Sequence, residues 1–140
     1  MSESGKTVIT VDATVNAPVE KVWKFWTEPE HIKQWNNASD DWHTPRAEND
    51  LRVGGKFLSR MEARDGSFGF DFEGIYNEVE PLSVIAYSMS DGRQVRTVFE
   101  REGDKTKVTT HFDAETQNSI EMQQGGWQAI LNNFKKHAEA

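Results

Sequence analysis

One stretch near the C-terminus, Asn118 to Glu139, constrains the fold more than any other. Ile120, Trp127, Ile130, Leu131, Phe134 and Ala138 recur at spacings that place them on one face of a helix. Asn118 is the expected cap, and Glu121 completes a capping box with it. Lys135, Lys136 and His137 fall in the last turn, where positive charge suits the helix dipole. The middle is irregular. Gln123 and Gln124 precede Gly125 and Gly126, and each glycine costs roughly 1 kcal/mol relative to alanine inside a helix. The expectation is a lid helix. Its half from Trp127 to Phe134 should anchor in solid core, and its half from Gln123 to Gly126 should face a cavity.

A lid needs something to cover, and the rest of the chain supplies a sheet. Thr7 to Val15 alternates as a half-buried strand and stops at Asn16-Ala17-Pro18. Two short helices follow, Val19 to Trp26 and Glu30 to Trp35, with Pro18 opening the first. Asn36 to Asn49 is polar and has no period, and reads as a long loop. Strand patterns then run Val53–Ala63, Phe68–Val79, Ser83–Met89, Arg93–Arg101 and Thr106–Phe112, separated by turn signals such as Asp65-Gly66 and Asp91-Gly92. The alternation slips at Gly74, which suggests a bulge or bend there. The expected fold class is α+β: a six-stranded antiparallel sheet, two short helices between its first and second strands, and a long C-terminal helix over one face.

The length of 140 residues suggests a single domain over 1–140, ordered over about 7–138. A net charge of −7 argues against binding to a phosphate backbone. There is no cysteine, so disulfides and thiolate chemistry are excluded. The mean hydropathy of −0.74 and the absence of a long apolar run argue against a membrane span. Residues 1–6 lack the apolar stretch of a signal peptide, so the expected location is cytoplasmic.

Asp50-Leu51-Arg52-Val53-Gly54-Gly55 resembles the signature of the family named after the activator of the heat-shock-protein-90 ATPase, within the START-like group. Ala17-Pro18 with Val22-Trp23, the stretch Gly74 to Pro81, and Gly126-Trp127 with Leu131 fit the same pattern. The resemblance runs from about Thr7 to His137. It implies a helix-grip fold, in which a curved sheet wraps around the C-terminal helix and leaves a cavity between them. Members of the wider group bind apolar molecules there, and some are enzymes. One departure is that the family's tryptophan-rich segment reads Gln34-Trp35-Asn36-Asn37-Ala38 here. Another is that this chain has no room for the separate N-terminal domain of the eukaryotic chaperone activators.

The expected ligand-binding cavity residues are Trp26, Trp35, Phe57, Met61, Phe70, Phe72, Tyr87, Val95, Gln123, Gln124 and Trp127. Each aromatic alone reads as core filler. Together, under a helix with a glycine-rich half, they read as the lining of a small-molecule site. No histidine stands at metal-ligand spacing, so no metal or cofactor is expected. His43 and Asp41, in the polar loop, and Tyr87 are the candidate proton-transfer groups if the protein is an enzyme, with His43 as the general base. Asp50 and Arg52 are expected to hold their loop by a salt bridge. The leading reading is a binding protein for a small apolar or amphipathic molecule. The alternatives are a chaperone cofactor that binds a protein partner, and an enzyme acting on a substrate in the cavity.

Overall fold

The computed structural model describes residues 7–37, 40–89 and 91–140. Ala38 and the N-terminal residues 1–6 lie outside the described residues. The elements in chain order are β1 (Val8–Val15), α1 (Val19–Thr27), α2 (Pro29–Trp35), β2 (Trp42–Asn49), β3 (Lys56–Ala63), β4 (Gly69–Glu80), β5 (Val84–Met89), β6 (Gln94–Glu102), β7 (Lys105–Asp113) and α3 (Ile120–Glu139). The strands form one curled antiparallel sheet in the order β1-β7-β6-β5-β4-β3-β2. α1 and α2 carry the chain from one edge strand, β1, to the other, β2. α3 then returns across the concave face, where its stripe meets the inward residues of the sheet.

The sheet has seven strands, not six. The additional strand is β2, which the sequence presents as loop. It is an edge strand with a single partner, β3, so it needs no continuous apolar alternation. It also carries Pro45, which only an edge or an irregularity tolerates, and its register shifts between His43 and Arg46.

Gly74 also differs from expectation. Phe70, Phe72, Gly74 and Tyr76 keep one phase, and the register irregularity lies further on, between Tyr76 and Glu78. A Cβ on Gly74 would come within 2.8 Å of the Phe57 ring, 2.9 Å of the Tyr87 ring and 2.9 Å of the Ser88 carbonyl. The glycine is there to let two rings lie over the strand. Ile75 consequently points to the convex face and is 44% exposed.

The cap of α3 is Ser119, one residue later than expected. Its hydroxyl accepts from the Met122 N–H at 3.1 Å. Asn118 is held instead by Glu115, whose carboxylate accepts from both the backbone and the side-chain amide of Asn118 at 2.7 Å.

The signature segment folds as a tight connection between β2 and β3. Arg52 Nε lies 3.0 Å from both oxygens of the Asp50 carboxylate, giving the expected ion pair. Gly54 has φ +85, and a Cβ on Gly55 would collide with the Asp50 carbonyl. The Gly54 N–H donates to the Tyr76 carbonyl and the Tyr76 N–H to the Gly55 carbonyl, each at 2.9 Å. This stretch therefore anchors β4 and with it Tyr76.

Charges cover the convex face in pairs: Lys56 with Glu73, Arg60 with Glu62 and Asp71, and Arg96 with Glu78. Arg60 and Arg96 thus stand as single charges on a solvated face, each beside a carboxylate. Among the described residues, no helix is long and apolar enough to cross a membrane.

Candidate functional site

Between the concave face and α3 lies a cavity of about 250 Å³. Its floor follows from strand alternation, because every second residue points the same way. β3 contributes Phe57, Ser59 and Met61, β4 Phe70, Phe72 and Tyr76, and β5 Ile85 and Tyr87. Val95 and Thr97 from β6, Thr110 from β7 and Val11 from β1 complete the floor. Trp127, Ile130 and Leu131 of α3 form the roof, and Trp26, Ile32 and Trp35 of α1 and α2 close one end.

The end wall is held by ring packing and by hydrogen bonds. Phe134, fully buried, packs edge-on against Trp26 at 4.8 Å and Trp35 at 5.0 Å. Trp35 Nε1 donates to the Phe25 carbonyl at 2.9 Å, which fixes α2 against α1. Asn49 Nδ2 donates to the Thr27 carbonyl at 2.6 Å, while its Oδ1 accepts from the Tyr76 hydroxyl at 2.5 Å. At the roof, Trp127 lies flat on Phe112, with centroids 4.0 Å apart and 12° between planes.

Nine of the expected lining residues meet at this cavity: Trp26, Trp35, Phe57, Met61, Phe70, Phe72, Tyr87, Val95 and Trp127. Gln123 and Gln124 do not. Gln123 is buried, but its side chain accepts from the Glu115 N–H and donates to the Glu115 and Asn118 carbonyls. Gln124 is exposed and donates to the Thr10 carbonyl at the sheet edge. Neither Gly125 nor Gly126 lines the cavity. The space therefore lies further along α3 than the glycines suggest, beneath Trp127, Ile130 and Leu131.

His43 and Asp41 also stand apart from the cavity. Thr44 is the inward residue of that part of β2, its hydroxyl donating to the Asn36 carbonyl at 2.7 Å. His43 beside it points away and lies 3.9 Å from the Glu62 carboxylate. Asp41 is exposed in the turn before β2, and its carbonyl accepts from the Arg64 N–H. Among the described residues, no three His, Asp or Glu side chains converge as a metal site requires.

The polar groups of the cavity were not singled out from the sequence. Ser59 shares phase with Phe57 and Met61, Thr97 with Val95 and Phe99, and Thr110 with Val108 and Phe112. Alternation was the available signal, but small hydroxyl residues on an apolar face read as filler. Thr97 and Thr110 are buried and bonded to each other through their hydroxyls at 2.9 Å. Burial pushes the Tyr76 and Tyr87 hydroxyls well above the usual phenol range, so both stay neutral.

Residues 16–139 match the model of the family described as Activator of Hsp90 ATPase homolog 1-like protein. The chain belongs to this family. Its fold is the START-like helix-grip fold. A solution structure of an AHSA1-like protein from Aeromonas hydrophila is 44% identical, covers 95% of this chain and 92% of its own, and superposes with a TM-score of 0.89. A solution structure from Cytophaga hutchinsonii is 53% identical over 94% of this chain and 91% of its own, with a TM-score of 0.82. A crystal structure from Nitrosomonas europaea, 21% identical over 93% and 92% of the two chains, shares the fold with a TM-score of 0.80. No curated protein matches the chain.

Within the family frame, the Asp50-to-Gly55 signature is a structural device. It closes a connection and holds β4, and it places no side chain of its own in the cavity. Gly74 and Trp127, from the other matching stretches, shape the cavity directly.

Proposed function

We propose that the protein binds a small, largely apolar molecule between the sheet and α3. The observation that carries this reading is the cavity itself: about 250 Å³, walled mainly by aromatic and aliphatic side chains, with a few hydroxyls among them. At about 30 Å³ for each water-sized volume, the space suits a one- or two-ring or short-chain molecule. A lipid with two long chains exceeds it.

Binding is favoured over turnover by the character of the lining. Its ionisable side chains are Tyr76, Tyr87 and Glu48. Both tyrosines are held neutral, and the Glu48 carboxylate is paired with Arg46 at the surface. The proposed base, His43, is not among the residues of the cavity. A chaperone partner, suggested by the family description, would act through the outer surface, and a pull-down with the chaperone tests it separately.

Titration with 2-ethylnaphthalene, followed by NMR, tests the binding reading. Saturable shifts of the Trp127 and Trp35 indole N–H signals are the expected result. No shift at either indole up to the solubility limit of the hydrocarbon would count against a ligand site in this space.

A further inference from the structure

The cavity opens on one side, and the rim of this mouth can be traced contact by contact. Trp127 on α3 meets Phe72 on β4, with ring centroids 6.3 Å apart. Two residues along the strand stands Phe70, opposite Met61 on β3. The Thr44 hydroxyl lies 3.4 Å from the Met61 sulfur and donates to the Asn36 carbonyl. The next carbonyl, that of Asn37, accepts from the Asn133 side chain, which returns the rim to α3. Along the helix, Asn133, Ile130 and Gly126 stand three and four residues apart and share one side. Phe70 lines the cavity and is 41% exposed, so the space inside this ring reaches solvent.

Beyond the rim the aromatic wall continues. β5 ends at Met89, opposite Gly74, and among the described residues 69–73 of β4 pair with β3 alone. The β3–β4 hairpin therefore overhangs the sheet. Alternation puts Phe68 in phase with Phe70, and Trp42 on β2 sits opposite Ala63, whose N–H bonds the Phe68 carbonyl. The three rings gather into a shelf, with Trp42 6.0 Å from each Phe and the two Phe rings 6.1 Å apart. Phe68 is 60% exposed. A contiguous exposed apolar patch of this kind marks a binding surface. Phe70 belongs both to the shelf and to the cavity lining, which makes the two continuous.

The glycines of α3 fit the same picture. Glycine weakens a helix interior relative to alanine. A Cβ on Gly125 or Gly126 would meet no atom of the described residues within 4 Å, so packing does not require either glycine. Bare backbone at the rim leaves room for a molecule that crosses it. Charge narrows what that molecule is. The turns beside the shelf carry Asp40, Asp41 and Asp65 against Arg64, which disfavours an anionic group or an anionic lipid surface there.

We propose that the shelf is an outer subsite of the same binding site, and that it takes an uncharged aromatic extension of a ligand whose other end fills the cavity. The ligand is then a rod of two apolar groups joined by a short link. One group is enclosed, and the other lies on Trp42, Phe68 and Phe70. This rests on the binding reading above.

Two probes test it by NMR at neutral pH: 2-ethylnaphthalene, and 2-(4-hydroxyphenethyl)naphthalene, which is the first with a phenol ring on its terminal carbon. The short probe should shift the indole N–H signals of Trp127 and Trp35 and leave that of Trp42 in place. The long probe should shift all three, and should bind roughly three- to tenfold more tightly, the value of one added aromatic contact. Phe68→Ser and Gly126→Glu should each remove most of this advantage and leave the short probe's affinity within about twofold. Two variants are used so that a folding defect in one leaves the other to decide. A long probe that leaves Trp42 unmoved overturns the outer subsite, as does an advantage that survives in the folded variants. A Trp42 shift with protein concentration alone, or with phosphatidylcholine vesicles alone, would give the shelf to a second copy or to a membrane and also overturns it. In each of these cases, saturable binding of the short probe at Trp127 and Trp35 leaves the cavity reading standing. Failure of both probes at those two indoles overturns both.

Discussion

His31 Nδ1 and His137 Nε2 lie 2.9 Å apart and join α2 to α3. Phe25 stacks on His31 at 3.9 Å, so the joint is also packed against α1. Two protonated imidazoles have only donors to offer each other, so this bond requires one neutral ring. Charged groups beside it are Lys21 from α1, whose ammonium stands over the Phe25 ring, and Glu28, 4.0 Å from His31. Partial burial, then His31, then Lys21 hold the His137 pKa below its ordinary 6.5.

The sign of the pH effect follows. Below 6.5 the unfolded chain takes up a proton at His137 more readily than the folded chain does. Stability should therefore fall as the pH drops through this window, and level off below the folded pKa. Asp91, Glu115 and Glu139, whose pKa values are lowered, contribute only to losses at lower pH, beneath the ordinary carboxylate range. Thermal melts between about pH 7.5 and about pH 5.5 should show a falling midpoint. His137→Gln can still bond His31 but does not titrate, and it should flatten this slope. A variant as pH-sensitive as the parent would place the effect elsewhere.

Gly74→Ala should destabilise the protein by about 1–3 kcal/mol, the usual range for overpacking. The new methyl would meet the Phe57 and Tyr87 rings and the Ser88 backbone, and the backbone cannot yield as a side-chain tip can. Urea unfolding would measure the loss. The Tyr87 ring resonances should shift in the same variant. If stability is unchanged, the rings have room that the structure does not give them.

The fold was largely legible because its signals are periodic. Val95, Thr97 and Phe99 alternate, α3 carries an apolar stripe from Trp127 to Ala138, and the turns have glycine where φ is positive, as at Gly66 and Gly92. β2 was not legible, because an edge strand with Pro45 and a register shift has no period to read. The cavity was legible as a set of aromatics but misplaced along α3. A buried glutamine gives no sign in sequence of whether it faces a cavity or caps a backbone. Gln123 caps one, and only the folded course of residues 115–118 makes this visible. His31 and His137 are far apart in the chain, and neither has a local motif, so their pairing also had no sequence signal.

Phe134→Ala and Met61→Ala should separate solid core from cavity wall. Phe134 is fully buried between two tryptophans, and its truncation should cost about 3–5 kcal/mol. Met61 already borders open space on one side and has fewer contacts to lose, so its loss should sit near 2 kcal/mol. Denaturant unfolding with unchanged m-values would measure both. A cost for Met61→Ala equal to that of Phe134→Ala would mean that β3 packs as tightly as the end wall.

Gln123→Ala tests how the first turn of α3 is held. The Gln123 side chain accepts from the Glu115 N–H at 2.9 Å, and donates to the Glu115 carbonyl at 3.1 Å and the Asn118 carbonyl at 2.9 Å. Alanine removes all three bonds and leaves backbone groups of the β7–α3 connection without these partners. The expected cost is about 1–3 kcal/mol. Gln124→Ala is the control, since its side chain is exposed and makes one long bond to Thr10 at 3.3 Å. That change should stay within about 0.5 kcal/mol. Amide exchange should distinguish local from global loss. In Gln123→Ala, protection should drop first at Met122 and Gln123, whose N–H groups bond the Ser119 cap, while Leu131 and Phe134 follow the overall stability. If the two glutamine variants prove equally mild, the connection holds α3 without its buried amide, and the helix start depends on the Ser119 cap.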